Sequence, residues 1–353
     1  MKVLVINPGS TSTKIGMFED DTQIFEKVIR HQREEFEPYP KIVDQYDFRR
    51  ALVVAAMEEA GVSLGDLDAV VGMGGLTRPV EGGTFLISGE MVKDLRSTAY
   101  GDHASSLGSI IAYEMVQGTD IPAFMVDPVV VDEFADIARI SGHPLLPRRS
   151  VFHALNQKAT AKRYCREQGK RYEDLNLVVT HMGGGISVGI HNKGRVVDAN
   201  NALDGDGPFT PERSGTLPAG QLVSLCFSGE YSQGDIRAML KGRGGLVAYT
   251  QSNSAREIES RAETDPESKL VLDALAYQVA KTIGEMSTVV AGEVEAILLT
   301  GGICHSNYIV GEITRRVSFI APVHAYPGED ELDALAQGAL RVLRGEEEAK
   351  VYV

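Results

Sequence analysis

Two apolar runs flank a glycine turn in the stretch LVVTHMGGGISVGI, residues 177–190. The first run predicts a buried strand, the turn reverses the chain, and the second run predicts an antiparallel partner. A turn at 192–194 and another apolar run at 195–199 predict a third strand. The same order of strand, glycine/serine turn and strand occupies residues 4–18, with NPGSTST at 7–13 as the turn. Two such hairpins, one opening each half, predict a duplicated α/β fold with a site between the halves.

The segments around the hairpins have patterns typical of both helices and strands. Residues 44–60 have apolar side chains at helical spacing, and Gly61 is a helix stop. The apolar face of that helix is predicted to comprise Phe48, Leu52, Ala55, Ala56 and Ala60. Further helices are predicted at 150–168 with Ser150 as N-cap, at 269–290 and at 331–344, and buried strands at 68–71 and 296–300. The charged tail after residue 344 is expected to be frayed.

The length of 353 residues predicts roughly two domains. No low-complexity linker separates the two halves, so we place the boundary near Ser150. The prediction is an N-terminal α/β domain of residues 1–150, joined by the C-terminal segment 331–353. Residues 151–330 are predicted to form a C-terminal α/β domain.

The charge balance argues against one class of partner. Asp and Glu number 49 against 35 Lys and Arg, which gives a net charge of −14. Nucleic acid is not expected as a partner, because proteins that bind it present a basic face. Any anionic substrate must therefore be bound by local basic residues, against the field of the whole protein.

The cysteines and the apolar runs indicate the compartment. The three cysteines are widely separated and form no C-x-x-C pair, so neither a disulfide framework nor a zinc site is predicted. The apolar run at 3–6 is too short for a signal-peptide core. No stretch approaches the roughly 18 apolar residues of a membrane span. A reduced, cytoplasmic compartment is the expectation, with no membrane partner.

Three glycine turns that follow predicted strands are candidates for phosphate binding. Glycine lets the backbone approach a phosphate closely, and successive N–H groups can then surround the anion. The candidates are Ser10, Ser12 and Lys14 in the first turn, Gly183, Gly184 and Gly185 in the second, and Gly301 and Gly302 in the third. The three turns together favour nucleotide binding, although none is a Walker A loop.

The first of these turns, NPGSTSTK at 7–14, resembles the N-x-G-S-S-S-x-K opening of the acetate kinase family. Other stretches are similar to the shorter, butyrate kinase branch of that family. They are HQREE at 31–35 with DQYDFR at 44–49, THMGGGIS at 180–187, and GDGPFTPERSG at 205–215. The resemblance covers essentially the whole chain. It implies duplicated ribonuclease H-like domains of the actin-like ATPase type, with the active-site cleft between them and nucleotide bound by the C-terminal domain.

The resemblance also implies reversible phosphoryl transfer between ATP and a carboxylate, with ATP/ADP and Mg²⁺ as cofactors and with paired protomers in a homo-oligomer. A carboxylic acid with a pKa of about 4 to 5 is already an anionic nucleophile at pH 7, so no general base is needed. The enzyme must supply charge screening and in-line alignment. Butyrate or isobutyrate is the implied substrate. Acetate or propionate is the alternative within the class, and an actin- or chaperone-like ATPase is the alternative from another class.

Three side chains receive roles from the resemblance because of their motif positions. Arg78 would bind the substrate carboxylate, since a guanidinium offers two parallel donors. Arg213 would neutralise the transferring phosphoryl group. Asp127, just after an aliphatic run, would organise Mg²⁺ and the phosphoryl group. A nucleotide switch of the actin type has no need of such a carboxylate clamp, so Arg78 and Arg213 favour the kinase.

Three histidines also match family positions. His103 and His153 would lie near the transferring phosphoryl group, and His181 beside the second phosphate turn. His153 is predicted in the first turn of its helix, where the positive end of the helix dipole disfavours an imidazolium. We therefore predict that His153 is a neutral N–H donor.

The resemblance implies a metal shell that includes the side-chain oxygen of Asn7 and a glutamate. Counting back from the LAQG sequence at 335–338, that glutamate is Glu331, with Glu329 as the alternative if the segment contains a gap. Carboxylate and amide oxygens are the ligands that Mg²⁺ prefers.

Overall fold

The computed structural model describes residues 1–97 and 99–353, apart from the side chain of Arg33. Its strands are β1 (Lys2–Pro8), β2 (Ser12–Glu19), β3 (Thr22–Arg30), β4 (Ala69–Gly72), β5 (Thr84–Leu86), β6 (Ala123–Val126), β7 (Asn176–Met182), β8 (Ile186–Asn192), β9 (Arg195–Ala199), β10 (Ala296–Gly301), β11 (Val323–Pro327) and β12 (Lys350–Val351). Its α-helices are α1 (Tyr46–Glu59), α2 (Gly89–Ser97), α3 (Ser106–Met115), α4 (Ala154–Glu167), α5 (Ala219–Cys226), α6 (Gln233–Leu240), α7 (Leu246–Thr250), α8 (Ala255–Ala262), α9 (Pro266–Thr288), α10 (Asn307–Val317) and α11 (Glu331–Leu343). Short 3-10 turns connect several of them.

The chain divides into two compact units. The first comprises Met1–Asp132 and Asp330–Val353, and the second comprises Glu133–Glu329. The boundary that the sequence places near Ser150 lies inside the second unit. The reason is that the segment after Asp132 joins β9: Glu133 accepts a hydrogen bond from the N–H of Val196 (2.7 Å), and the N–H of Ala135 donates to the carbonyl of Val197 (2.9 Å).

A seven-stranded sheet forms the centre of the first unit, in the order β12-β5-β6-β4-β1-β2-β3. β1 pairs antiparallel with β2 and parallel with β4. Val3, Leu4, Val5 and Ile6 are each 0% exposed, which is typical of a strand covered on both faces. Helices α3 and α11 pack against this part of the sheet.

A five-stranded sheet forms the centre of the second unit, in the order β11-β10-β7-β8-β9. β7 pairs antiparallel with β8 and parallel with β10. The first unit repeats this pattern in the strands β6-β4-β1-β2-β3. In each sheet a central strand therefore has an antiparallel hairpin on one side and parallel strands on the other. The first and second glycine turns lie at the bends of these two hairpins.

The buried face of α1 differs from the predicted one. Its buried residues are Arg49, Val53, Ala56 and Met57, so the face is turned by about one residue. The prediction of Phe48, Leu52, Ala55, Ala56 and Ala60 followed the apolar side chains and left Arg49 outside. Arg49 is nevertheless 0% exposed, because backbone and side-chain oxygens of the first hairpin accept its hydrogen bonds.

The prediction of Ser150 as an N-cap is wrong. Helix α4 begins at Ala154 with His153 as the N-cap. The preceding backbone is engaged elsewhere, since the carbonyl of Val151 accepts a hydrogen bond from the N–H of Ala202 (2.9 Å). His153 therefore precedes the first helical turn instead of lying within it.

The prediction of a frayed tail is also wrong. Residues Lys350–Val351 form β12, which pairs parallel with β5. Tyr352 is only 3% exposed, and its hydroxyl donates to Asp94 (2.7 Å). In the described part of the chain, no helix combines the length and the apolar character that crossing a membrane requires.

Candidate active site

The first hairpin brings three predicted site residues of the first unit together. Asn7 Nδ2 donates to Glu331 Oε2 over 2.8 Å, and Lys14 Nζ donates to the same oxygen over 3.0 Å. Asn7 lies near the end of β1, Lys14 on β2, and Glu331 opens α11. Ser10 and Ser12 lie at the bend, which a hydrogen bond from the N–H of Gly9 to the carbonyl of Ser12 closes (2.8 Å).

The two alternative metal-shell glutamates have different neighbours. Glu331 contacts Asn7 and Lys14, as described above. Glu329 belongs to the second unit, where its Oε1 lies 3.3 Å from His181 Nε2. A Cβ on Gly183 would lie 2.6 Å from that same oxygen. Geometry thus favours Glu331 as the partner of Asn7, and it gives Glu329 a place beside the second glycine turn.

Arg49 is a further residue at the first hairpin that the sequence analysis did not single out. Its guanidinium donates to the carbonyls of Gly9 and Ser12 and to the hydroxyl of Thr13, each over 2.9 Å. Its Nε donates to Gln45 over 3.0 Å. Burial lowers the pKa of Arg49 to about 10, so it stays charged at pH 7. The available signal was its place in DQYDFR, one of the stretches similar to the butyrate kinase branch.

The proposed substrate-binding arginine forms ion pairs within the first unit. Arg78 Nε donates to Asp94 (2.9 Å) and Nη2 donates to Glu90 (3.0 Å), while the guanidinium lies 4.9 Å above the ring of Tyr352. The hydrogen bond to Asp94 is the main reason why the pKa of Arg78 is raised. A third of the side chain is exposed, so the guanidinium is accessible to a ligand as well as to its acidic neighbours.

Asp127 follows β6 directly, as a strand-end carboxylate. Its side chain is 3% exposed, and Oδ1 accepts a hydrogen bond from the N–H of Gly83 (2.7 Å). Its φ of 37° lies in the left-handed region, where a non-glycine residue is strained and which is enriched at functional sites. His103 is exposed before α3, and its Nδ1 accepts a hydrogen bond from the N–H of Ser105 (3.2 Å).

The second glycine turn joins β7 to β8 and lies against Arg213. A Cβ on Gly185 would collide with Arg213 Nη1 and would lie 3.2 Å from His153 Cε1, so a larger residue there would displace the end of the Arg213 side chain. Thr210 positions both partners, because its hydroxyl donates to the carbonyl of Gly184 (2.7 Å) and accepts from the N–H of Arg213 (3.1 Å). Arg213 Nη1 also donates to the carbonyl of Ala202.

Two histidine rings stack beside this turn. The rings of His153 and His181 are 3.9 Å apart between centroids and 20° from parallel. His181 Nδ1 donates to Asn156 Oδ1 over 2.8 Å. The pKa of His153 lies well below its usual value because of burial and the nearby His181 and Arg213. His153 is therefore neutral at pH 7, as predicted, with burial rather than the helix dipole as the main cause.

The third glycine turn ends β10 and passes close to the end of β7. A Cβ on Gly301 would lie 2.7 Å from the carbonyl carbon of Met182, and its φ of 93° also demands glycine. A Cβ on Gly302 would meet open space. The structure thus holds Gly301 next to the end of β7, directly before the turn of Gly183, Gly184 and Gly185.

The predicted site residues fall into two groups. In the first unit, Asn7, Lys14 and Glu331 contact one another, whereas Arg78, Asp127 and His103 make separate contacts. In the second unit, the glycine turn, Arg213, His153 and His181 form one continuous cluster. Among the described residues, no three His, Cys, Asp or Glu side chains converge on a metal position. Asn7 and Glu331 bring one amide group and one carboxylate together, and oxygen donors of this kind fit Mg²⁺, which completes its shell with water and phosphate.

Comparison with known proteins identifies relatives of this arrangement. Residues 139–324, more than half of the chain, match the model of the acetokinase family. The fold is similar to the crystal structure of Porphyromonas gingivalis acetate kinase, with a TM-score of 0.79 and 16% identity over 97% of this chain and 99% of that one. It is also similar to acetate kinase from Entamoeba histolytica, with a TM-score of 0.73 and 18% identity over 96% of this chain and 98% of that one.

A third solved structure, a propionate kinase from Francisella tularensis subsp. tularensis SCHU S4, has a TM-score of 0.71 and 16% identity over 96% of this chain and 98% of that one. These comparisons confirm the predicted fold class, a duplicated α/β fold with two sheets.

Proposed function

The chain belongs to the acetokinase family, and on that basis we propose that it transfers a phosphoryl group from ATP to a short-chain fatty acid. The products are ADP and an acyl phosphate, and the transfer is direct, in line and reversible. Butyrate or isobutyrate is the proposed acid, because the stretches at 31–35 with 44–49, 180–187 and 205–215 are similar to the butyrate kinase branch.

The observation that carries this proposal is the cluster of Arg213 and His153 at Gly185. A transferring phosphoryl group spreads negative charge over its oxygens, and catalysis consists mainly of positioning and charge stabilisation. Arg213 supplies a permanent cation. His153 supplies a neutral donor. The glycine turn lets backbone N–H groups approach the same phosphates.

The nucleophile in this reaction needs no deprotonation. A carboxylate is ionised at pH 7, so Arg78 would orient it as a bidentate acceptor and nothing in the site has to remove a proton. Asn7 and Glu331 would hold Mg²⁺, which when bound neutralises phosphate charge. Lys14 lies 3.0 Å from Glu331 and would contribute a second positive charge toward the phosphates.

The synthesis of acyl phosphate is the direct test of the proposed function. Incubation with ATP, Mg²⁺ and butyrate in the presence of hydroxylamine should yield butyryl hydroxamate. The same assay over linear and branched acids from two to five carbons measures kcat/KM and should give its maximum at butyrate or isobutyrate. A maximum at acetate or propionate would replace the proposed substrate, and no hydroxamate from any acid would refute the kinase.

Arg78→Ala is expected to raise KM for the acid by about 100-fold, because the charged hydrogen bonds to the carboxylate are lost. KM for ATP should change far less. Steady-state kinetics with each substrate varied in turn make the comparison. Arg96→Ala is the matched control, since Arg96 also forms an exposed ion pair in the first unit, with Glu114. Equal rises in both KM values would show that Arg78 only stabilises its surroundings.

Glu331→Gln is expected to raise the Mg²⁺ concentration for half-maximal activity by about tenfold, because a neutral amide binds the cation more weakly. Glu329→Gln is the matched control, with the same chemical change two residues earlier in the chain. Magnesium titrations of both variants at saturating substrates decide between them. A larger shift in the Glu329 variant would assign the metal shell to that residue instead.

The homo-oligomer and the cytoplasmic location stay predictions from the sequence. The mass of the particle in solution is the measurement for the first, and the location of a tagged chain in cells is the measurement for the second.

A further inference from the structure

We propose that a buried chain of four side chains holds the proton of His153 on Nε2 and so makes this ring a fixed hydrogen-bond donor. The four side chains, in order toward His153, are Tyr172, His191, Gln157 and Ser187. Tyr172 is 6% exposed and the other three are 0% exposed, so water does not compete for their hydrogen bonds. The identity of the group that accepts this hydrogen bond rests on the proposed function. The position of the proton does not.

The far end of the chain is the pair of Tyr172 and His191. The hydroxyl of Tyr172 lies 2.7 Å from His191 Nδ1, and His191 Nε2 lies 3.1 Å from Gln157 Oε1. Burial and the nearby Lys158 hold the pKa of His191 well below its usual value, so the ring is neutral and carries one proton. An amide oxygen only accepts, so that proton is on Nε2, and Nδ1 accepts from the tyrosine.

The orientation of the Gln157 amide is decided by a backbone group. Gln157 Nε2 lies 3.0 Å from the carbonyl oxygen of Ser187 and 2.8 Å from its hydroxyl oxygen. A rotated amide would place two acceptor oxygens against each other at the carbonyl. The NH₂ group therefore faces Ser187, and both of its protons are donated there.

The orientation of the Gln157 amide determines which partner donates in the hydrogen bond between Ser187 and His153. The hydroxyl oxygen of Ser187 accepts from Gln157 and from the backbone N–H of His153 (3.3 Å), which uses both lone pairs. The hydroxyl proton is then the only remaining group for His153 Nδ1, which lies 2.8 Å away. Nδ1 must accept, and the single proton of the neutral ring is on Nε2.

Gly189 leaves the space that the side-chain amide of Gln157 occupies. A Cβ at this position would lie 2.5 Å from Gln157 Oε1 and 3.3 Å from a methyl carbon of Val196. Any larger residue on β8 would displace the amide from the line between His191 and Ser187. The glycine on this strand is thus explained by the chain of hydrogen bonds, since its own backbone is in a regular strand.

The consequence concerns the part that His153 can take in phosphoryl transfer. Nε2 is protonated and can donate to a phosphoryl oxygen, whereas the lone pair on Nδ1 is held by Ser187. Neither nitrogen is available as a nucleophile, so the ring stabilises charge without accepting the phosphoryl group. This agrees with direct transfer between ATP and the carboxylate. Ser187 and Gln157 are positioning residues that act through His153.

The protonation of each ring can be read from the protein labelled with ¹⁵N-histidine. Two- and three-bond ¹H–¹⁵N correlations at pH 7 should show Nε2 of His153 protonated and Nδ1 unprotonated, with the His153 signals identified from a His153→Gln variant. A proton on Nδ1, or on both nitrogens, would overturn the proposal. The expected spectrum in a protein that phosphorylates none of the acids would count against the proposed function and leave the tautomer assignment supported.

Ser187→Ala removes the donor to Nδ1 and should lower kcat by roughly tenfold, the cost of one hydrogen bond, with both KM values nearly unchanged. The ¹⁵N spectrum should then show a mixture of tautomers at His153. Ser287→Ala is the matched control, because Ser287 is also buried in the second unit and donates its proton to the carbonyl of Ile283 in its own helix. Wild-type tautomer and wild-type kcat in the Ser187 variant would overturn the proposal.

Gln157→Met provides a second variant if the first fails to fold. It keeps the length of the side chain and removes both polar atoms, which frees a lone pair on Ser187. His153 Nδ1 can then donate to the serine, so the same mixture of tautomers and a similar fall in kcat are expected. A single Nε2–H tautomer in this variant would overturn the proposal as well.

Discussion

Arg213→Ala is expected to lower kcat by about a thousandfold, the usual loss when one preorganised charge is removed from a phosphoryl-transfer site. The guanidinium lies against Gly185 beside His153, where the proposed transfer would develop charge. Its interaction strengthens as the phosphoryl group leaves ATP, so KM for ATP and for the acid should change only modestly. Steady-state kinetics of the acyl hydroxamate reaction measure all three quantities.

Arg213→Lys separates charge from geometry in the same experiment. Lysine keeps the positive charge but lacks the planar fork, so its kcat should lie between those of the wild type and the alanine variant. Arg243→Ala is the matched control, since Arg243 forms an exposed ion pair with Asp235 in the same unit. An unchanged kcat in the Arg213→Ala variant would refute the catalytic role. The Arg213→Ala variant also loses the hydrogen bond to the carbonyl of Ala202. Thermal unfolding of the variant and of the wild type should therefore be compared as a control for stability.

Arg49→Ala is expected to lower the free energy of unfolding of the first unit by about 4 kcal/mol, the sum of a buried cavity and of acceptors left without donors. The carbonyls of Gly9 and Ser12 lose their partners together with the hydroxyl of Thr13. These groups shape the first glycine turn, so KM for ATP should rise as well. Hydrogen exchange of the amides in β1 and β2 measures the stability of this unit without requiring two-state unfolding of the whole chain.

Arg50→Ala is the matched control for this prediction, because Arg50 is the next residue on α1 and is exposed. Its effect should stay within about 0.5 kcal/mol, as for most surface substitutions. Arg49→Lys keeps a charge but cannot reach all four acceptors, so an intermediate loss is expected. Equal stability of the Arg49 and Arg50 alanine variants would show that the first turn keeps its shape without the buried guanidinium.

The buried arginine also shows where local patterns lead to a wrong prediction. Apolar periodicity located α1 to within two residues at each end, yet the predicted buried face is turned by about one residue and omits Arg49. Periodicity treats an arginine as a solvent-facing residue, since burying an unpaired charge is costly. The cost disappears when oxygen atoms from a distant segment accept its protons, and the Gly9–Ser12 turn provides them. That segment is remote in sequence, so no window around Arg49 could contain the information.

The two glutamates near the end of the chain show the same limit at the candidate site. Glu329 and Glu331 are two residues apart and chemically equivalent, so motif spacing alone left both open. The fold separates them: Glu331 opens α11 within reach of Asn7 and Lys14, and Glu329 lies beside His181 in the second unit. The prediction of a frayed tail was wrong for a related reason. β12 pairs with the edge of β5, and this edge exists only once the sheet has assembled.

Local sequence was sufficient for the paired hairpins, the three glycine turns and the fold class. Strand periodicity and the glycine requirement of tight turns act over a few residues, so they can be recognised from the sequence alone. The burial of Arg49, the different neighbours of Glu331 and Glu329, and the hydrogen bonds around His153 are decided by the tertiary structure. Each depends on which donors and acceptors meet across segments that are far apart in sequence, and hydrogen-bond satisfaction in a buried site is a property of the whole assembled network.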